Sequence, residues 1–282
     1  MNLDVSCLIY RDLLNYTVVA VTEDGKTAVF TDSALLQLGF VNVTNPSSPQ
    51  GLSKLSFATP GNPTGVALKG KYALASVETG TIPNTPSGYL AVVNMEDPAN
   101  PVEVLAAKKD FGGQPDSIFV SPDKTYAAAV IENRRVEDGP LPTAPAGFIL
   151  IFDISADDPV NWSLKWNVAL TGLPGLRFDT DPEPEYASFN VNNILVVTLQ
   201  ENNAVVQINA TDGKVLNSHH AGVVNLKHVD LAADKMIVQT SNQDLRRREP
   251  DGVVSTGNPF VIRLCACIMY SFFSNIARIG SF

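Results

Sequence analysis

A turn-and-strand unit that recurs along most of the chain constrains its fold more than any other feature. Gly61-Asn62-Pro63-Thr64 opens one copy, Gly113-Gln114-Pro115-Asp116 the next, and Pro182-Glu183-Pro184-Glu185-Tyr186 a third. Each opening leads into a short apolar strand, a polar turn and a second apolar strand. Self-similarity at a period of roughly fifty residues marks a solenoid or a propeller.

Four apolar runs fit into each unit, rich in Val, Ile, Ala and Tyr and bounded by Gly, Pro, Asn and Asp. The first and second runs join through tight turns such as Lys69-Gly70-Lys71 and Ser121-Pro122-Asp123-Lys124, whose residues tolerate positive φ or start a bend. Four antiparallel strands repeated radially make a propeller blade. The expected fold is therefore all-β: a β-propeller with about four complete blades and a partial fifth, unclosed. The blades are expected at 16–60, 61–112, 113–181, 182–225 and 226–252, after an N-terminal extension over 1–15 and before an apolar tail over 253–282. In the fifth unit, runs at Leu226 to Leu231 and Met236 to Thr240 are read as its strands, and the outer strand of the second unit is read as Val102 to Ala107.

Composition excludes several functions. A net charge of -9 with 17% charged residues argues against nucleic acid, which needs clustered Lys and Arg. The single basic run, Arg246-Arg247-Arg248, is followed at once by Glu249 and reads as a solvated turn. The three cysteines, Cys7, Cys265 and Cys267, form no Cys-x-x-Cys pair. No signal-peptide pattern opens the chain, and the apolar run Leu264 to Ala277 is shorter than the roughly 20 residues a membrane crossing needs. Ser76, Ser117 and Ser121 have no histidine or elbow motif nearby, so nucleophilic catalysis finds no support. His219, His220 and His228 read as surface or packing residues, and Trp162 and Trp166 as core between blades. Asn15-Tyr16-Thr17, Asn42-Val43-Thr44, Asn161-Trp162-Ser163 and Asn209-Ala210-Thr211 match the glycosylation triplet, a common pattern that favours secretion only slightly.

Connectivity points to a site. The start of strand one lies beside the end of strand two, and strand one lines a propeller axis. Both places are acidic here: Thr64, Asp116, Glu183 and Glu185 at the first, and Asp32, Glu78, Glu132 with Asn133, and Gln200-Glu201-Asn202-Asn203 at the second. The long loops after strand two, Thr79 to Gly88 and Arg134 to Gly147, emerge on the same face, where binding usually resides. Two readings fit Asp116, Glu132, Asn133, Glu183, Glu185, Glu201 and Asn202. They cap strands and stitch blade to blade through backbone bonds, or they hold a divalent cation, Ca²⁺ foremost, or a cationic ligand.

Five motifs in order carry a family resemblance: Gly113-Gln114-Pro115-Asp116-Ser117, Ile131-Glu132-Asn133-Arg134, Pro182 to Tyr186, Leu199-Gln200-Glu201-Asn202-Asn203, and Arg248-Glu249-Pro250-Asp251-Gly252. From about Tyr16 to Gly252 the chain resembles the choice-of-anchor I propeller domain, a family that includes proteins labelled mesenchyme-specific cell surface glycoprotein and some labelled alkaline phosphatase. The resemblance implies a secreted or surface-attached propeller of the YVTN and quinoprotein-like class. The family pattern continues through further blades beyond Gly252, so the chain reads as C-terminally truncated. The first functional expectation is a non-catalytic extracellular binding or adhesion module with an acidic mouth and an unidentified ligand or protein partner. The alternatives are a metal-dependent phosphoester hydrolase and an inert fragment with an exposed edge.

Overall fold

A strand of six apolar residues, buried on both faces, needs a sheet packed on either side of its own. Tyr126-Ala127-Ala128-Ala129-Val130-Ile131 is such a strand, with every residue buried, and Tyr72–Glu78 is buried over its central five. The computed structural model shows how the chain meets this demand. It describes residues 18–135, 145–230, 238–255 and, by backbone alone, 262–266.

The first blade is β1 (Val19–Val21), β2 (Thr27–Asp32), β3 (Gln37–Asn42) and β4 (Gln50–Ser56), antiparallel in that order. The second is β5 (Asn62–Lys69), β6 (Tyr72–Glu78) and β7 (Gly88–Asn94), with β7 edged by two short strands, β8 (Val102–Glu103) and β9 (Lys109–Asp110). The outer strand expected at Val102 to Ala107 is thus broken, because Leu105–Ala107 coils into a 3-10 turn that buries Ala107. The third blade is β10 (Pro115–Val120), β11 (Tyr126–Ile131), β12 (Phe148–Asp153) and β13 (Ser163–Ala169). The fourth is β14 (Tyr186–Phe189), β15 (Ile194–Leu199), β16 (Ala204–Asn209) and β17 (Lys214–His220).

Beyond the fourth blade the strands differ from the expected runs. β18 (Val223–Val229) pairs with β19 (Ser241–Arg247) as a separate two-stranded sheet, and 238–240 is not a strand. Residues 236 and 237 lie outside the described residues. The strand packed beside β14 is β20 (Pro250–Ser255), which pairs with β21 (Ile262–Ala266). Inner strands therefore neighbour one another in an open row, β5 on β10, β10 on β14 and β14 on β20. The expected extension over 1–15 lies outside the described residues, as does most of the expected tail.

The cores lie between blades. Val29, Leu38 and Phe40 of the first blade meet Ala73, Ala75 and Val93 of the second. Leu74, Leu90 and Val92 meet Ala129, Leu150 and Phe152, and Val130, Ile149 and Ile151 meet Ala187, Leu195 and Val197. Trp162 belongs to the second of these seams. It is 2% exposed, its Nε1 donates to the Ala156 carbonyl at 2.8 Å, and Tyr72 meets it edge-on. Trp166 is instead 37% exposed and lies against Gly213 of the next blade.

The repeated opening has a steric reason. Pro115 presses on Gly88 of the preceding blade, and Pro184 on Gly147 in the same way. A Cβ at Gly147 would also meet the Ile131 and Glu132 carbonyls at 2.7 Å. The proline of one blade and the glycine of its neighbour thus form one contact. The glycosylation-like triplets at 42 and 209 serve as turns: Asn42 Oδ1 accepts from Thr44 N and Asn209 Oδ1 from Thr211 N, both at 2.9 Å. Asn161 is exposed at the end of a 3-10 turn, and the triplet at 15–17 lies outside the described residues.

Candidate functional site

Antiparallel pairing fixes where the polar openings converge. Asn62 stands opposite Glu78 and Pro115 opposite Ile131, while Glu185 N–H donates to the Thr198 carbonyl. The start of each inner strand and the end of the next strand therefore share one face, away from the tight turns. We call this face the mouth.

The residues expected at the site divide into two sets there. Asn133, Asn202 and Glu183 hold the blades. Asn133 Oδ1 accepts from Gln114 N at 2.8 Å and its Nδ2 donates to the Ala146 carbonyl at 3.3 Å. Asn202 repeats the arrangement one blade on. Its Oδ1 accepts from Glu183 N at 2.8 Å, and its Nδ2 donates to the carbonyls of Arg177, Asp181 and Phe178 at 2.7, 3.0 and 3.3 Å. The Glu183 carboxylate, 1% exposed, accepts from Arg135 N at 2.5 Å and is gripped by the Arg135 guanidinium. Burial still raises Glu183 above its ordinary range, against the pull of Arg135.

Asp116, Glu132, Glu185 and Glu201 are brought together, and they repel. Burial, then the charge of Asp251, pushes Asp116 up to about 7, with Glu201 and Glu78 adding to it and Arg134 opposing. Burial and Asp116 lift Glu132 well above its ordinary range. Burial, Glu201, Glu132 and Asp116 push Glu185 up to about 11. Glu185 therefore keeps its proton at neutral pH and hydrogen-bonds to Glu201. The Gln200 amide nitrogen, turned toward Glu185, reaches its two oxygens at 2.9 and 3.1 Å, and Gln114 Nε2 donates to Glu132 at 3.2 Å. Desolvation and like charges act in the same direction here. Glu201 Oε2 is buried with no hydrogen-bond partner. Among the described residues, no group of three or more His, Cys, Asp or Glu is arranged to hold a metal ion.

Sequence reasoning had not assigned Asp251 and Arg134 to this site. Asp251 follows Pro250 as Asp116 follows Pro115 and Glu185 follows Pro184. That spacing is the available signal, and an apolar run beginning at Leu226 obscures it. Asp32 stands apart as a turn cap, accepting from Leu35 N and from Gln37 Nε2 at 3.0 and 2.9 Å. His220 Nδ1 accepts from Gly222 N, a local turn bond.

Blade-to-blade bonds position the mouth. Ser33 Oγ donates to the Pro63 carbonyl at 3.3 Å, Ser117 Oγ to the Glu185 carbonyl, and Thr198 Oγ1 to the Asp251 carbonyl. The two inner-strand acids, Glu185 and Asp251, are thus each anchored by a hydroxyl of the preceding blade.

Comparison with known proteins agrees with this architecture. The family model for the choice-of-anchor I domain matches residues 17–256. No curated protein matches the sequence. Among solved structures, the chain is similar to Kuenenia stuttgartiensis hydrazine synthase, at 11% identity and TM-score 0.56 over 88% of this chain and 70% of that one. It is similar to the Pseudomonas aeruginosa periplasmic gluconolactonase PpgL, at 16% identity and TM-score 0.53 over 78% of this chain, and spans 63% of that protein's length. The β-propeller domain of Myceliophteria thermophila Cps50 (Swd1) matches at 10% identity and TM-score 0.51 over 88% of this chain and 79% of that one. At these identities the likeness shows the propeller fold alone. Among the described residues, no helix is long and apolar enough to cross a membrane.

Proposed function

The chain belongs to the choice-of-anchor I domain family, and on that premise we propose that it is a non-catalytic binding module of a secreted or surface-attached protein. Its mouth takes up a cationic group. One observation carries this reading: Asp116, Glu132, Glu185 and Glu201, drawn from two blades, crowd together with Asp251, and Arg134 only partly opposes them at Asp116 and Glu132. Crowded carboxylates gain from any cation that replaces their shared proton. The carboxylates as placed do not converge on one point. That geometry suits an ammonium or guanidinium group of a partner, which tolerates a spread of acceptors, better than compact ion coordination. A Ca²⁺ reading is favoured by the unpartnered Glu201 Oε2, since hard cations take carboxylate oxygens.

Calorimetry of the full chain with spermidine, a lysine-rich peptide and Ca²⁺ tests this. Saturable binding accompanied by proton release, and weakened at least tenfold by Asp116→Asn, is the expected result. Absence of both heat and thermal shift with all three ligands would overturn it.

A further inference from the structure

Beside its carboxylates the mouth carries the opposite charge. Arg135 follows the end of β11, Arg177 lies in the connection between β13 and β14, and Arg247 ends β19. Arg135 is matched by Glu183, and Arg247 by Glu249 at 3.0 Å. Arg177 has no carboxylate within ion-pair distance among the described residues. Burial, then the charges of Arg247 and Arg135, holds its pKa below the usual value, with Glu249 opposing. An arginine so perturbed still carries its proton at neutral pH. Burial raises Asp181, a further buried carboxyl of that connection, above its ordinary range against the pull of Arg135.

The surroundings of Arg177 are built rather than incidental. Its guanidinium lies 3.9 Å from the Phe178 ring centre, and that of Arg135 lies 5.1 Å from the same ring. Phe178 holds φ at 57°, a left-handed conformation that is an outlier for a bulky residue. Asn202, fully buried, keeps it there by gathering the carbonyls of Arg177, Phe178 and Asp181. Arg177 N–H closes the arrangement on the Asn202 carbonyl at 2.9 Å. Strain of this kind persists where the surroundings over-determine it, and it clusters at ligand clamps.

We propose that Arg177, flanked by Arg247 and standing on the Phe178 ring, is an oxyanion-binding site, a function separate from the carboxylates of the mouth. Its ligand is a carboxylate, sulfate or phosphate group on a small molecule or glycan. A planar guanidinium pairs such groups through two parallel bonds, and partial burial strengthens the attraction. Glu183 and Glu249 pair with the flanking arginines, which leaves the Arg177 guanidinium as the group open to an anion.

Titration of the full chain with inorganic phosphate, sulfate and glucuronate, followed by calorimetry, is the test. Saturable binding of at least one anion is expected, weakened at least tenfold in Arg177→Gln and at least threefold in Arg177→Lys, which keeps the charge but loses the fork. Preference for phosphate or sulfate would point to an ester group, and preference for glucuronate to a sugar acid. A second measurement needs no variant: phenylglyoxal labelling of Arg177, mapped by mass, should slow at least threefold when the bound anion is present. No saturable heat with any of the three anions, equal binding by Arg177→Gln, or an unchanged labelling rate would overturn the proposal.

Discussion

Two sets of polar residues share one mouth and have opposite fates. Asn133, Asn202 and Glu183 meet backbone groups and an arginine that satisfy them. Asp116, Glu132, Glu185 and Glu201 meet one another. Residue type does not distinguish the sets, since Glu183 and Glu185 stand two positions apart on one strand opening. What separates them is the partner each meets in the irregular segment before β14: Glu183 meets the N–H and guanidinium of Arg135, while Glu185 meets Glu201 and Gln200. A buried polar group that is fully bonded stabilises a fold, and one held against its own charge is available for a ligand.

The largest expected effect breaks the first set. Asn202→Ala removes one accepted and three donated hydrogen bonds at a fully buried position. It leaves the Glu183 N–H and three carbonyls without this partner, so the loss should be about 3–4 kcal/mol in urea unfolding. Asn202→Asp keeps the acceptor but sets a carboxyl oxygen against the three carbonyls, so it should be destabilised at least as much as Asn202→Ala. A loss below about 1 kcal/mol for Asn202→Ala would mean that the seam does not depend on this amide.

The blade repeat was legible because its chemistry is local: tight turns, apolar runs of fixed length and a recurring Pro opening. The acids at the mouth were legible for the same reason, since antiparallel pairing alone brings strand starts to strand ends. The division between seam and mouth was not legible, because it depends on which partner each opening residue meets, Arg135 among them. The start of the last inner strand was misplaced. Leu226 to Leu231 reads as an apolar run, whereas β20 opens with Pro250 and only modest apolar content. The arginine cluster was invisible, because Arg135 and Arg177 come from two different connections, Arg247 ends β19, and the three obey no repeat.

A smaller effect sharpens the steric half of the seam. Gly147→Ala places a Cβ 2.5 Å from Pro184 Cδ and 2.7 Å from two carbonyls of β11 and its continuation. Backbone must move, at a cost of about 1–3 kcal/mol. Gly172→Ala offers a contrast, because nothing lies within 4 Å there and only its positive φ opposes the change. Thermal unfolding of both variants separates crowding from conformational strain.

The mouth should behave in the opposite sense to the seam. Glu185 is raised from 4.5 to about 11, so the folded chain binds a proton that the unfolded chain has released. Stability from this group is complete below about 4.5 and declines as pH rises toward about 11. Glu185→Gln removes the penalty, so the variant should match the wild type at pH 5 and exceed it in melting temperature at pH 9. A variant less stable than the wild type at pH 9 would show that the carboxyl is held by favourable bonds rather than crowded.

Asp116 gives the smallest and most sharply bounded test. Its pKa rises from 3.8 to about 7, so the folded state holds more protons only between those values. Stability should fall across that window and level off above it, by on the order of 1–2 kcal/mol once solvent screening at this partly exposed group is allowed for. Asp116→Asn should make the fall across that window shallower, leaving the Glu185 slope, which runs from about 4.5 to about 11, in place. Cation binding offers an independent route to the same end, since a ligand that displaces the proton should flatten the window in the wild type as well. Coincidence of the two profiles would tie the proton and the ligand to one carboxyl. In the Asp116→Asn, Glu185→Gln double variant, a fall that survives saturating ligand would assign the titration to Glu132 instead, whose burial beside Asp116 raises it in the same direction.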